Sequence, residues 1–147
     1  MKITLKRSAA MVFAGAVLAC AALSPVHAAD DALFRGLGGK PGIKQIVATF
    51  VPLVLADPRI KETFSDSDMK HVALRLEEQF CALGGGPCDY KGEPMKEVHG
   101  GLKITNAQFN ALAEDLQIAM ERNAIPSHVQ NKLVAKLAPM QRAIVTK

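Results

Sequence analysis

The sequence predicts an all-α fold, and three observations carry that prediction. Apolar residues recur at helical spacing in four long segments. No stretch longer than a few residues alternates apolar with polar as a half-buried strand requires. Glycine, proline and short polar residues punctuate the segments at the places where helices start and stop. No internal repeat or low-complexity tract is present.

Residues 1–28 read as a secretory signal peptide, set apart from a single domain over residues 29–147. Lys2, Lys6 and Arg7 form a basic head, Ser8 to Leu18 is an uninterrupted small and apolar run, and Val26-His27-Ala28 offers a peptidase site. The run is shorter than the roughly 20 apolar residues a spanning helix needs. Cys20, in Val17-Leu18-Ala19-Cys20, offers a second route: lipidation and attachment to a membrane. The expected location is the periplasm or outside the cell. The chain carries a net charge of +4, and three of its basic residues but no acidic ones lie before residue 29. The domain itself is therefore close to neutral. It has no basic stripe interleaved with aromatics, so nucleic-acid binding is not expected.

Ala32 to Leu37 gives one short helical turn, broken by Gly38-Gly39-Lys40-Pro41-Gly42. Ile43, Ile46, Val47, Phe50, Val51 and Val54 then define a long helix, with Pro52 expected to kink it. Asp57-Pro58 marks a corner, followed by a short turn ending at Phe64. Ser65-Asp66-Ser67-Asp68 offers N-caps to the next helix. Met69, Val72, Leu76, Phe80 and Leu83 form its apolar stripe, while Arg75, Glu77, Glu78 and Gln79 are read as lying off that stripe. Gly84-Gly85-Gly86-Pro87 stops the helix.

A short helix around Met95 precedes His99. Thr105-Asn106-Ala107-Gln108 is a capping box for a helix carrying Phe109, Leu112, Leu116 and Met120. Asn123 to Pro126 is a turn, and the last helix carries Val129, Leu133, Leu137, Met140 and Ile144, bent at Pro139.

Cys81 and Cys88 are an even pair seven residues apart. In an oxidising compartment they read as a candidate disulfide; two reduced thiols are the alternative, and a zinc site lacks ligands.

His99 is the residue with the most chemistry to offer. Neutral imidazole is a good ligand for iron. No second histidine stands at i+4 and there is no His-Glu-x-x-His, so a metal held by protein alone is not supported. One histidine suffices only where another group supplies the remaining ligands, and a porphyrin supplies four.

The residues around His99 belong to an ordered set. Leu37-Gly38-Gly39, Phe50 with Val54-Leu55-Ala56-Asp57, Phe64, Gly85-Gly86-Pro87 with Tyr90 and Gly92, then Met95 and His99 follow one another, with Phe109 and Leu116 in the next helix. This set resembles the group 1 truncated (2/2) haemoglobins, over nearly all of the chain after residue 28. The resemblance implies a 2/2 α-helical sandwich around haem, with His99 as the proximal iron ligand. It places Phe64, Phe80, Met95, Tyr90 and Phe109 against the haem, and Arg75 within reach of a propionate. There is no Cys-x-x-Cys-His, so the haem is expected to be non-covalent and of the b type.

The distal side departs from the family. Many members carry tyrosine at the position matching Val51, and polar residues, often glutamine, at those matching Val72 and Leu76. Aliphatic side chains donate no hydrogen bond to a bound diatomic ligand, and each lost bond of that kind forgoes about 1.5–3 kcal/mol. The expected function is binding of dioxygen, nitric oxide or carbon monoxide at haem iron in an apolar pocket. The alternative is a haem-dependent redox enzyme on the same fold, removing nitric oxide or acting as a weak peroxidase, with an electron donor as partner.

Overall fold

The computed structural model describes residues 31–147. The expectations for residues 1–28, Cys20 included, lie outside the described residues.

Seven α-helices make up the described chain: α1 (Ala32–Gly36), α2 (Gly39–Ala56), α3 (Met69–Leu83), α4 (Met95–Val98), α5 (Asn106–Arg122), α6 (Ser127–Leu137) and α7 (Gln141–Ile144). Short 3-10 turns at Lys61–Phe64 and Ala138–Met140 connect them. Among the described residues there is no strand, only one isolated bridge between Ile104 and Val145. Helix α2 is the centre of the packing, held against α3 on one side and α5 on the other.

Local chemistry explains the boundaries. Gly38 sits at φ 84 just before α2, a conformation that costs a residue with a Cβ. Pro52 lies within α2, which runs unbroken from Gly39 to Ala56 although the proline supplies no amide to the ladder. Asp68 caps α3, accepting from the Lys70 and His71 amides at 3.0 and 3.3 Å. Gly85, at φ 78, follows the end of α3 in the left-handed position that turns a chain off a helix. The capping box of α5 forms as the sequence indicates: Gln108 N–H donates to Thr105 Oγ1 at 3.2 Å, and Thr105 N–H to Gln108 Oε1 at 3.0 Å. The last helix is divided at the Pro139 turn into α6 and α7.

The core gathers Leu33, Leu37, Ile43, Ile46, Val47, Phe50 and Val54 from the first half, with Ala111, Leu116, Ala119, Met120, Val129 and Leu133 from the second. Phe80 joins it at 1% exposure. The Cα atoms of Cys81 and Cys88 stand 5.8 Å apart, within disulfide reach between the end of α3 and the loop that leads to α4.

Three polar residues on core helices are buried, Gln79 of α3, Asp115 of α5 and Gln130 of α6. Asp115 of α5 is 4% exposed, and its Oδ2 has no hydrogen-bond partner. Burial, reinforced by the negative charge of Asp57, pushes its carboxyl above the ordinary range. Gln79 of α3, read from sequence as lying off the apolar stripe, is 9% exposed.

Candidate functional site

The site is built where the C-terminal half of α3 meets α4 and the end of the chain. A cavity of about 370 Å³ opens there, lined by Gln79, Ala82 and Leu83 of α3, Tyr90 and Pro94 of the following loop, Met95 of α4, and Met140. Its wall follows from helix geometry. Val72, Leu76, Gln79 and Leu83 stand at spacings of four, three and four, which places them on one face of α3. Val72 and Leu76 are half-buried on that face. Phe80 lies one residue on, rotated by about 100°, and its ring goes into the core instead. Gln79 thus occupies the cavity wall, and Phe80, expected from the resemblance to touch the haem, packs in the core beside it.

Helix α4 is a single turn. It begins after Pro94, no side chain caps it, and none of its residues is buried. It carries Met95 at its start and His99 just beyond its end. His99 Nδ1 lies 2.7 Å from the Met95 carbonyl oxygen. A carbonyl only accepts, so Nδ1 carries the proton and donates. In the neutral ring Nε2 then presents its lone pair, the tautomer a metal ligand needs. The segment after His99 is anchored by backbone bonds from the C-terminus, Thr146 N–H to Ile104 O at 3.0 Å and Lys147 N–H to the same oxygen at 3.2 Å.

The other expected site residues are placed as follows. Val51, Phe64 and Leu76 are partly buried against the edge of the core. Phe109 is half-buried near the start of α5. Tyr90 lines the cavity and donates its hydroxyl proton to the Glu93 carbonyl at 3.1 Å. Burial pushes its phenol up, the nearby Arg75 acting in the opposite direction. Gly92 makes room for this ring, since a Cβ there would lie 2.2 Å from the Tyr90 hydroxyl. Arg75 is held by Glu78, at 2.5 Å, with its Nε 3.4 Å from His71 Nε2. Glu78 also accepts from the Lys91 amide at 3.1 Å, so the pair ties the loop before α4 to α3.

Sequence reasoning missed Gln79 and Met140. The signal for Gln79 was its position, seven residues after Val72 and in register with the stripe; its polarity hid it. Met140 read as core of the last helix, and the turn at Pro139 brings it to the cavity instead.

The donor set tests which group the site fits. Among the described residues no cluster of three histidine, cysteine, aspartate or glutamate side chains could hold a metal ion. His99 therefore suits a metal that brings its other ligands with it. A half-buried imidazole one turn after Met95, which lines a largely apolar cavity, fits haem, and the fold and site define a shortened haem-binding globin. The bacterial-like globin family model matches residues 32–146. The chain belongs to that family, and its relatives are group 1 truncated haemoglobins. It is 34% identical to one from Tetrahymena thermophila over 66% of this chain and 80% of the relative. It is 32% identical to another from Mycolicibacterium paratuberculosis over 78% of this chain and 84% of the relative. Among solved structures, the Fe(III) form of truncated haemoglobin from Tetrahymena pyriformis superposes with a TM-score of 0.75 at 30% identity, covering 78% of this chain and 98% of that one. The protein is thus a haem-binding globin of the 2/2 type that takes ligands at the haem iron.

Proposed function

We propose that this globin is an exported diatomic-gas binder in which His99 is the proximal ligand and Val51, Val72 and Leu76 form an aliphatic distal wall. The observation that carries the reading is the His99 Nδ1–H bond to the Met95 carbonyl, which fixes the ring and leaves Nε2 available. Haem, held non-covalently and of the b type, supplies the iron at which a diatomic ligand binds. The chain's own part is to hold that group and to set the polarity around the bound gas. Phe64, Met95 and Phe109 offer apolar area to the porphyrin, and Tyr90 closes the loop side of the cavity. With Arg75 engaged by Glu78, a propionate contact requires that pair to open or to be shared.

The aliphatic wall excludes water and donates no hydrogen bond. Dioxygen is then held weakly, the iron oxidises readily, and carbon monoxide and nitric oxide are little disfavoured. Export through the segment before residue 29 is part of the same reading, with Cys81 and Cys88 oxidised in the compartment that receives the protein.

The deciding measurement is the ultraviolet–visible spectrum of periplasmically expressed protein, wild type beside His99→Ala. Ferric, ferrous and carbon-monoxide-treated states are compared. Stoichiometric haem that is lost or spectrally altered in the variant supports His99 as the ligand. Identical spectra overturn it. Mass spectrometry on the same material tests export and pairing: an uncut N-terminus or two free thiols refutes that part.

A further inference from the structure

Gln79 is a buried amide that donates to two sulfurs. Its Nε2 lies 3.5 Å from Met95 Sδ and 3.7 Å from Met140 Sδ. Thioethers accept hydrogen bonds weakly, so an amide buried in this way has a cost that an aliphatic side chain would avoid. What the amide achieves is a junction. Through it α3 meets both α4 and the 3-10 turn between α6 and α7.

The junction ends on the proximal histidine. Met95 has two contacts with different jobs: its thioether accepts from Gln79, and its carbonyl accepts from His99 Nδ1–H. Helix α4 is one turn long, uncapped and without a buried residue, and it packs against α7. It is followed by Gly100 and Gly101, the latter at φ 81. Met95 links this turn to α3 through Gln79. An unbranched methionine, with three rotatable bonds, fixes a backbone only when its far end is also fixed.

We propose that Gln79 is a positioning residue for the proximal histidine. It anchors the Met95 thioether, and through Met95 it sets the orientation of the His99 ring toward the haem iron. This rests on His99 being the iron ligand, as proposed above. A leucine at position 79 would fill the same wall without directing Met95.

The test is resonance Raman spectroscopy of the ferrous, ligand-free holoprotein, reading the iron–histidine stretching band, together with the rate of haem loss to an excess of a haem-scavenging protein. The variants are Gln79→Leu, Met95→Leu and the double variant, with wild type and His99→Gly alongside. Each single variant is expected to shift and broaden the band and to speed haem loss about fivefold, the equivalent of ~1 kcal/mol. The double variant should move the band no further than either single one, because both break the same link. A side chain that merely fills space would alter haem retention and leave the band in place.

An unmoved band in Gln79→Leu, or shifts that add in the double variant, overturns the proposal. If Gln79→Leu fails to fold, the Met95→Leu band decides it alone: unmoved, the proposal falls. A band that survives in His99→Gly refutes the ligand assignment itself. That outcome is distinct from a band that depends on His99 and ignores Gln79.

Discussion

Replacing Phe80 with alanine separates a core ring from a cofactor contact. Phe80 is 1% exposed and packs in the cluster formed with α2 residues such as Ile43 and Val47. Nearly all of its side chain is removed from water without haem. Truncation of such a ring costs about 3–5 kcal/mol, lost burial and residual cavity together. Domains of this size are stable by about 5–15 kcal/mol, so Phe80→Ala should shift the urea midpoint of the haem-free protein by a large fraction of its value. Phe64, half-buried at the core edge, should behave in the opposite way. Phe64→Ala is expected to leave haem-free stability within ~1 kcal/mol, a typical mutational effect, and to act mainly on haem retention. Phe80→Leu keeps most of the volume and should recover all but about 1.5 kcal/mol. The assay is urea unfolding followed by far-ultraviolet circular dichroism on haem-free protein, paired with haem-loss rates on the loaded protein. A Phe80→Ala variant whose haem-free midpoint matches wild type, while haem loss accelerates, would refute the reasoning and return the ring to the cofactor.

Two further outcomes follow from the site and the core. Val72→Gln adds an amide donor to the face of α3 that carries Leu76 and Gln79; a hydrogen bond of about 1.5–3 kcal/mol slows dioxygen release roughly 10- to 150-fold, read by stopped flow. Unchanged release from both Val72→Gln and Leu76→Gln would show that this face does not meet the ligand. Asp115 concerns pH. Its carboxyl is raised above the ordinary 3.8 in the folded chain, so the folded state binds this proton more tightly than the unfolded state. The stability it allows is complete below 3.8 and is lost as pH rises through the elevated folded value. Asp115→Asn should remove that loss, leaving stability near wild type in acid and raising it by about 1 kcal/mol at pH 7. A variant destabilised equally at acid and neutral pH contradicts this account of the buried carboxyl.

Much of the molecule is legible in the chain because the determinants are local. Asp68 and the Thr105–Gln108 pair mark helix starts by bonding amides two or three residues away. Gly85 marks a stop by a backbone angle, and Pro139 marks a bend by the bond it does not make. His99 stands out through the motifs around it, while its Nδ1 bond to the Met95 carbonyl, four residues earlier, is seen in the structure.

Helix α3 shows where local reasoning stops. It has two apolar surroundings, the α2 core on one side and the cavity on another, separated by about one residue's rotation. Hydrophobicity reports only that a side chain is buried, never against which of the two. The resemblance therefore sets Phe80 against the haem, and Gln79 reads only as lying off the apolar stripe. With α2 packed in place, Phe80 enters the core and Gln79 lines the cavity. Asp115 was hidden in the same way, a charge on a helix whose neighbours bury it. The sequence determined the helices, their ends and the histidine between its glycines. The tertiary packing decided which face of α3 meets the cavity, that a glutamine lies in it, and that α4, too short to hold itself, takes its position from residues far along the chain.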